Sequence, residues 1–178
     1  MRLVLLAAAV VVAGPGAAQD LTQDEALALA FPTAELERRT AFLDDDELAR
    51  ARTLAGEDVE VDQGVVTYYL ALRDGRPVGA AYFDAHRVRT LAEVVMVVVD
   101  DRDRIERLEV LRFMEPPDYR APDGWIDQLE GRRLDDGLSL KGGVATMTGA
   151  TLTARALVRA SRRVLALHAV IRPFEEAR

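Results

Sequence analysis

The sequence contains no cysteine. Structural disulfides, thiolate catalysis, haem attachment through CxxCH, iron–sulfur clusters and Cys-rich zinc sites are therefore excluded. Histidine occurs only at His86 and His168, too few for a His-rich metal centre, and no metal ligands are assigned. Lysine is nearly absent, with Lys141 standing alone, and the arginines are interspersed with Asp and Glu. The formal net charge is −7. Nucleic-acid binding rests on neutralising phosphates with clustered Lys and Arg, so no nucleic-acid partner is expected. Nothing resembles a Ser/His/Asp or Cys/His triad, and no catalytic residues are assigned. Beyond the N-terminus no run approaches 18 consecutive apolar residues, so no membrane span is expected in the rest of the chain.

What is present fits one globular domain: 178 residues, 49% hydrophobic and 30% charged. Residues 1–18 read as an export signal. Arg2 supplies the positive start, and Leu3–Ala13 form an apolar run of signal-peptide length. Gly14 and Pro15 break the run, and Gly16-Ala17-Ala18 offers small residues for cleavage after Ala18. The expected mature chain keeps 22 basic and 30 acidic side chains, a formal charge of −8. A periplasmic or other extracytoplasmic location follows, soluble after cleavage or associated with the membrane.

Residues 22–31 pattern as a helix capped by Thr22 and stopped by Pro32. Residues 35–43 fit a strand or a helix. Asp44–Asp46 cap a further helix that ends at Gly56. Strands are predicted over 65–73, 77–88, 91–99 and 104–113, with a hairpin turn at Asp74-Gly75 and a turn over Asp100–Asp103. The Pro- and Gly-rich stretch 115–124 is loop, 125–130 a short helix, and 131–143 loop again. From Thr148 to about Ala169 the pattern is helical, with Leu157, Val158, Val164 and Leu165 on one side. The fold class is therefore α+β, an antiparallel sheet flanked by helices with a long C-terminal helix. The organisation reads as signal peptide 1–18, N-terminal helical extension 19–60, main domain 61–170 and C-terminal tail 171–178.

The most informative residues are Thr148-Gly149-Ala150-Thr151-Leu152-Thr153, at the predicted start of that helix. Thr148 fits an N-cap, and Gly149 and Ala150 let a ligand approach the backbone closely. Unpaired N–H groups and the positive end of the helix dipole favour a phosphate there. Thr151 adds a hydroxyl, and Arg155 follows one turn later on the same face. The local physics is equally that of a capped helix whose small residues pack on a sheet.

The segment TGATLTARAL resembles the [S/T]-G-A-T-x-[S/T] motif of the FMN-binding domain family. That family includes the flavin-carrying peripheral subunits of Rnf-type electron-transport complexes and of the Na⁺-translocating NADH:quinone reductase. The resemblance runs from about Val65 to Leu167. It implies FMN as cofactor, bound covalently to Thr151 through a phosphoester bond, with Thr148, Gly149 and Ala150 as the recognition turn and Thr153 closing the motif. It also implies an ApbE-type flavin transferase as partner, using FAD and a divalent cation, and a redox partner at or near the membrane. Ala145 departs from the pattern, since many members carry Asp six residues before the acceptor. The expected function is an exported electron-transfer flavoprotein. The alternative is a non-redox binding module of the same fold that has lost covalent flavin.

In the loop before the motif, Tyr119 and Trp125 are candidates to stack on the flavin ring, and Trp125 is equally a core anchor. Glu115 either hydrogen-bonds the ring or caps a loop. The cations of His86–Thr90 read as solvated rather than as phosphate ligands. His168 reads as a structural cation complementing the dipole in the last turn of its helix.

Overall fold

Five antiparallel strands form one sheet in the order β1-β2-β3-β4-β5, so each strand pairs with its neighbours in sequence. They are β1 (Glu35–Phe42), β2 (Val65–Arg73), β3 (Arg76–Arg87), β4 (Ala92–Asp100) and β5 (Ile105–Phe113). Among the described residues four α-helices accompany them: α1 (Gln23–Ala30), α2 (Asp45–Ala55), α3 (Asp123–Ile126) and α4 (Thr151–Ile171). The fold is thus α+β with a long C-terminal helix. This computed structural model describes residues 20–175. The expected export signal lies outside the described residues.

Local chemistry explains most boundaries. Thr22 and Asp44 each accept from the backbone of the residue three positions on, Glu25 and Glu47, whose carboxylates reach back to the cap N–H. Both helices therefore start with reciprocal capping boxes. The β2–β3 turn uses Asp74 and Gly75 at φ 53° and 73°, the left-handed pair that a tight hairpin requires. In the β4–β5 turn, Asp100 Oδ1 accepts from the backbone N–H groups of Arg102 and Arg104, each at 2.9 Å.

The sheet is covered on both faces, which is why β4 is apolar nearly throughout. One face carries Tyr68, Leu70, Tyr82, Val95, Val97 and Val99 against α4 and the small residues Ala51 and Ala55 of α2. The other carries Ala71, Ala81, Met96 and Val98 under α1 and Phe31. Gly79 marks the tightest approach there, since a Cβ on it would meet Phe31 Cε1 at 2.9 Å.

Several expectations are corrected. Of the two alternatives for residues 35–43 the strand is found: Glu35–Phe42 is an edge strand, largely alternating between exposed and half-buried positions. The stretch 19–60 is accordingly no purely helical extension, because β1 pairs with β2. The short helix predicted at 125–130 is α3 followed by a 3-10 turn over Asp127–Leu129. The C-terminal helix begins at Thr151, three residues late, because Gly149 sits at φ 84°. It runs on to Ile171, into the segment expected to be tail.

His168 is not a dipole-facing cation. It is buried, with Nδ1 on Tyr82 Oη at 2.9 Å and Nε2 on Asp103 Oδ1 at 3.2 Å. Burial pulls its pKa below the ordinary histidine value, against the opposing pull of Asp103.

Candidate functional site

The start of α4 differs from those of α1 and α2. Its N-cap is Ala150, at φ −128° and ψ 36°, and no side chain caps the helix. Thr148, expected to be the cap, is exposed two positions earlier. The first N–H groups of a 21-residue helix therefore lack a side-chain acceptor, at the positive end of the helix dipole. Thr151 is the first helical residue and is exposed. Its hydroxyl donates to the Met147 carbonyl at 3.1 Å, which leaves the oxygen lone pairs directed elsewhere.

Thr151 lines a groove of about 630 Å³, within the usual range for a small-molecule site. One wall is the connection leaving α2, from Ala55 to Val59; the other is the loop bearing Asp136, Ser139, Leu140 and Lys141. Arg155, Val158, Arg159 and Arg162 continue along the α4 side. Arg162 fixes the frame. Its Nε donates to Ala55 O at 2.7 Å, and its Nη1 donates to Asp135 O at 2.7 Å and Leu138 O at 3.3 Å. Arg155 and Arg159 make no ion pair among the described residues.

The other sequence candidates lie outside this groove. Thr153 is buried, and its hydroxyl donates to Tyr119 O at 2.6 Å, tying α4 to the 3-10 turn over Pro117–Tyr119. Tyr119 is half-buried, with the Arg89 guanidinium 4.8 Å from its ring centroid. Glu115 is buried. Its Oε1 gathers the backbone N–H groups of Arg89, Thr90 and Leu91 at 3.1, 2.7 and 2.8 Å. These donors, Leu91 first, lower its pKa. Glu115 thus pins the β3–β4 turn.

Trp125 is a buried core anchor whose indole N–H donates to Ala145 O at 2.8 Å. Gln128 Oε1 accepts from Ala145 N–H at 3.0 Å. Ala145 is therefore held through both of its backbone groups, with no side chain of its own involved. Arg132 adds bonds to the carbonyls of Gln128, Gly137 and Gly143. Together these residues hold the loop that leads into Thr148–Thr151.

One cluster was not expected from the sequence. His86 is not solvated: its ring is buried between Asp84, 2.8 Å from Nδ1, and Glu93, 3.0 Å from Nε2. Arg163 of α4 grips the far side of Asp84. Burial alone would lower the His86 pKa, but hydrogen bonds to Asp84 and Glu93 outweigh it and raise the value to about 9. Burial would likewise raise Asp84, yet His86 and Arg163 bring it down to about 2. The second oxygen of Glu93, Oε1, is buried with no partner among the described residues. His86 and Arg163 line a neighbouring cleft of about 510 Å³, which shares Asp58, Arg155 and Arg159 with the Thr151 groove. The alternation Asp84-x-His86 was its only local sequence signal.

Comparison with known proteins gives one finding. The family model described as the FMN-binding domain matches residues 92–166, from β4 into α4. No curated protein and no solved structure matches the chain.

Proposed function

From the premise that the chain contains an FMN-binding domain, with FMN as its cofactor, we propose that Thr151 carries FMN through a phosphoester bond and that the protein is an exported electron carrier. The observation that carries this reading is the uncapped start of α4 beside an exposed threonine hydroxyl. The residues present fit a phosphate monoester or diester. The first-turn N–H groups point at it, the helix dipole favours its charge, and Arg155 supplies a cation one turn on. Lys141 and Arg159 extend the positive lining of the groove.

In the attachment step Thr151 Oγ1 attacks the phosphorus on the FMN side of the FAD pyrophosphate. The new O–P bond forms as the bond to the AMP half breaks, and AMP leaves. The hydroxyl proton must go to a base of the flavin transferase or to water. The Met147 carbonyl orients that proton but does not take it up. The bound cofactor supplies the redox chemistry, while the protein supplies its binding, orientation and electrostatics. Arg155 and Arg159 would hold the phosphate charge. The groove walls would enclose the cofactor.

Residues 1–18 support export, by the pattern of a positive start, an apolar run and a small-residue cleavage site. No helix among the described residues is long and apolar enough to cross a membrane. The redox partner in this reading lies at or near the membrane surface, and the flavin transferase is the second partner.

The test is co-expression of the full chain with a flavin transferase, denaturation, and measurement of flavin fluorescence and the mass increment of FMN. Wild type and Thr151→Ser should carry flavin, and Thr151→Ala should not. Flavin that survives denaturation in Thr151→Ala sinks the assignment. A flavin-free wild type favours the non-redox binding module, the reading to which Ala145 lends support.

A further inference from the structure

The family match begins at Ala92 and leaves residues 20–91 without a role. Yet one wall of the Thr151 groove comes from that part of the chain: Ala55, Gly56, Glu57, Asp58 and Val59, which connect α2 to β2. This wall is built, not incidental. Gly56 leaves α2 at φ 96°, and Val59 N–H closes the turn onto Gly56 O at 3.0 Å. Ala55 and Val59 are buried apolar residues of the main core. Arg162 holds the last carbonyl of α2 and the carbonyls of Asp135 and Leu138 with one guanidinium. Both walls are thus strapped to the helix that begins at Thr151.

We propose that the connection 55–59 is the second wall of the flavin site, and that the isoalloxazine rings lie between it and Leu140 and Val158. The proposal rests on the reading that FMN occupies the start of α4. Leu140 is half-buried and, with the remaining exposed edges of Val59 and Val158, gives an apolar flank that suits a flat heteroaromatic, and the exposed carboxylates of Glu57 and Asp58 stand at the rim. The rival place for the rings is the neighbouring cleft over His86, on the other flank of Arg155 and Arg159. Glu57 borders only the first of these, and Gln63 only the second. Both are exposed.

The absence of native cysteine makes the two places separable. Glu57→Cys and Gln63→Cys are each prepared with and without Thr151→Ala, after co-expression with the flavin transferase, and alkylated with iodoacetamide. Thiol reactivity follows access, so alkylation at position 57 should slow by on the order of fivefold when flavin is loaded, and alkylation at position 63 should not change. Equal rates at position 57, or protection at 63 instead, overturn the proposal. If denatured wild type proves free of flavin, the covalent reading has failed. The same alkylation with added FMN then decides the wall alone: protection at 57 upholds it, and no protection overturns it.

Discussion

Arg163 grips Asp84 through two hydrogen bonds, Nε to Oδ2 at 2.6 Å and Nη2 to Oδ1 at 3.0 Å. The pair joins α4 to β3 beneath the cleft, and both side chains are largely buried. A pair of this kind is weak evidence of net stabilisation, because each charge has lost its water. Removing one partner is costly, since it leaves the other charge buried and uncompensated.

The first prediction follows from that asymmetry. Arg163→Met should lower unfolding free energy by about 3 kcal/mol, and the double change Asp84→Asn with Arg163→Met, which removes the uncompensated charge but keeps an acceptor for His86 Nδ1, by clearly less. Urea unfolding of the three proteins provides the check. A double variant as unstable as the single one would show that the ion pair itself stabilises the fold.

The second prediction concerns pH. His86 has its pKa raised to about 9 in the folded protein, above the ordinary value of about 6.5. Its contribution is therefore fully present below the unfolded value and is lost as pH rises through about 9. Asp84 runs the other way. Its value is depressed to about 2, so its contribution is present above the ordinary Asp range and is lost as pH falls towards 2. His168, lowered by burial, adds a further loss as pH falls below the ordinary histidine value. The unfolding midpoint of the wild type should drop between about pH 7 and about pH 10, and His86→Gln should flatten that part of the profile. An unchanged alkaline drop in His86→Gln would mean that another group causes it.

The third prediction concerns the loop that presents Thr151. Gln128→Ala removes the acceptor for Ala145 N–H, and Trp125→Phe removes the donor to Ala145 O. Each should cost about 1 kcal/mol of stability. Each should also slow covalent flavin loading, read as fluorescence after denaturation over a time course of co-expression. Gln128→Glu keeps an acceptor and should load at close to the wild-type rate. Loading rates that follow melting temperature across all three variants, with no rescue by Glu, would reduce the contact to a structural one.

Much of the fold was legible in the sequence because its causes are local. Thr22 with Glu25, Asp44 with Glu47, and Asp74-Gly75 each carry their own geometry within four residues. The start of α4 was misplaced by three residues because one positive φ, at Gly149, interrupts an otherwise helical pattern. The candidate site was legible only at its centre. Thr151 and Arg155 do share a groove, but Glu115, Tyr119, Trp125 and Thr153 turn to neighbouring segments instead. The His86 cluster required the register of β3 against β4, which places His86 opposite Glu93. It also required the position of a helix residue 79 positions from Asp84. Neither can be read from spacing along the chain.

The Arg162 strap bears on what could be inherited or transplanted as a unit. The segment that the FMN-binding-domain model matches begins at Ala92, after the turn that separates β3 from β4. Cut there, β4 would lose its partner along a whole edge, and Arg162 would lose the α2 carbonyl it holds. The recognisable module and the physically self-sufficient one are therefore different lengths of chain. A chimera that grafts only the former onto another protein would carry Thr151 and the loop over residues 136–141, without the wall from Ala55 to Val59 that faces them.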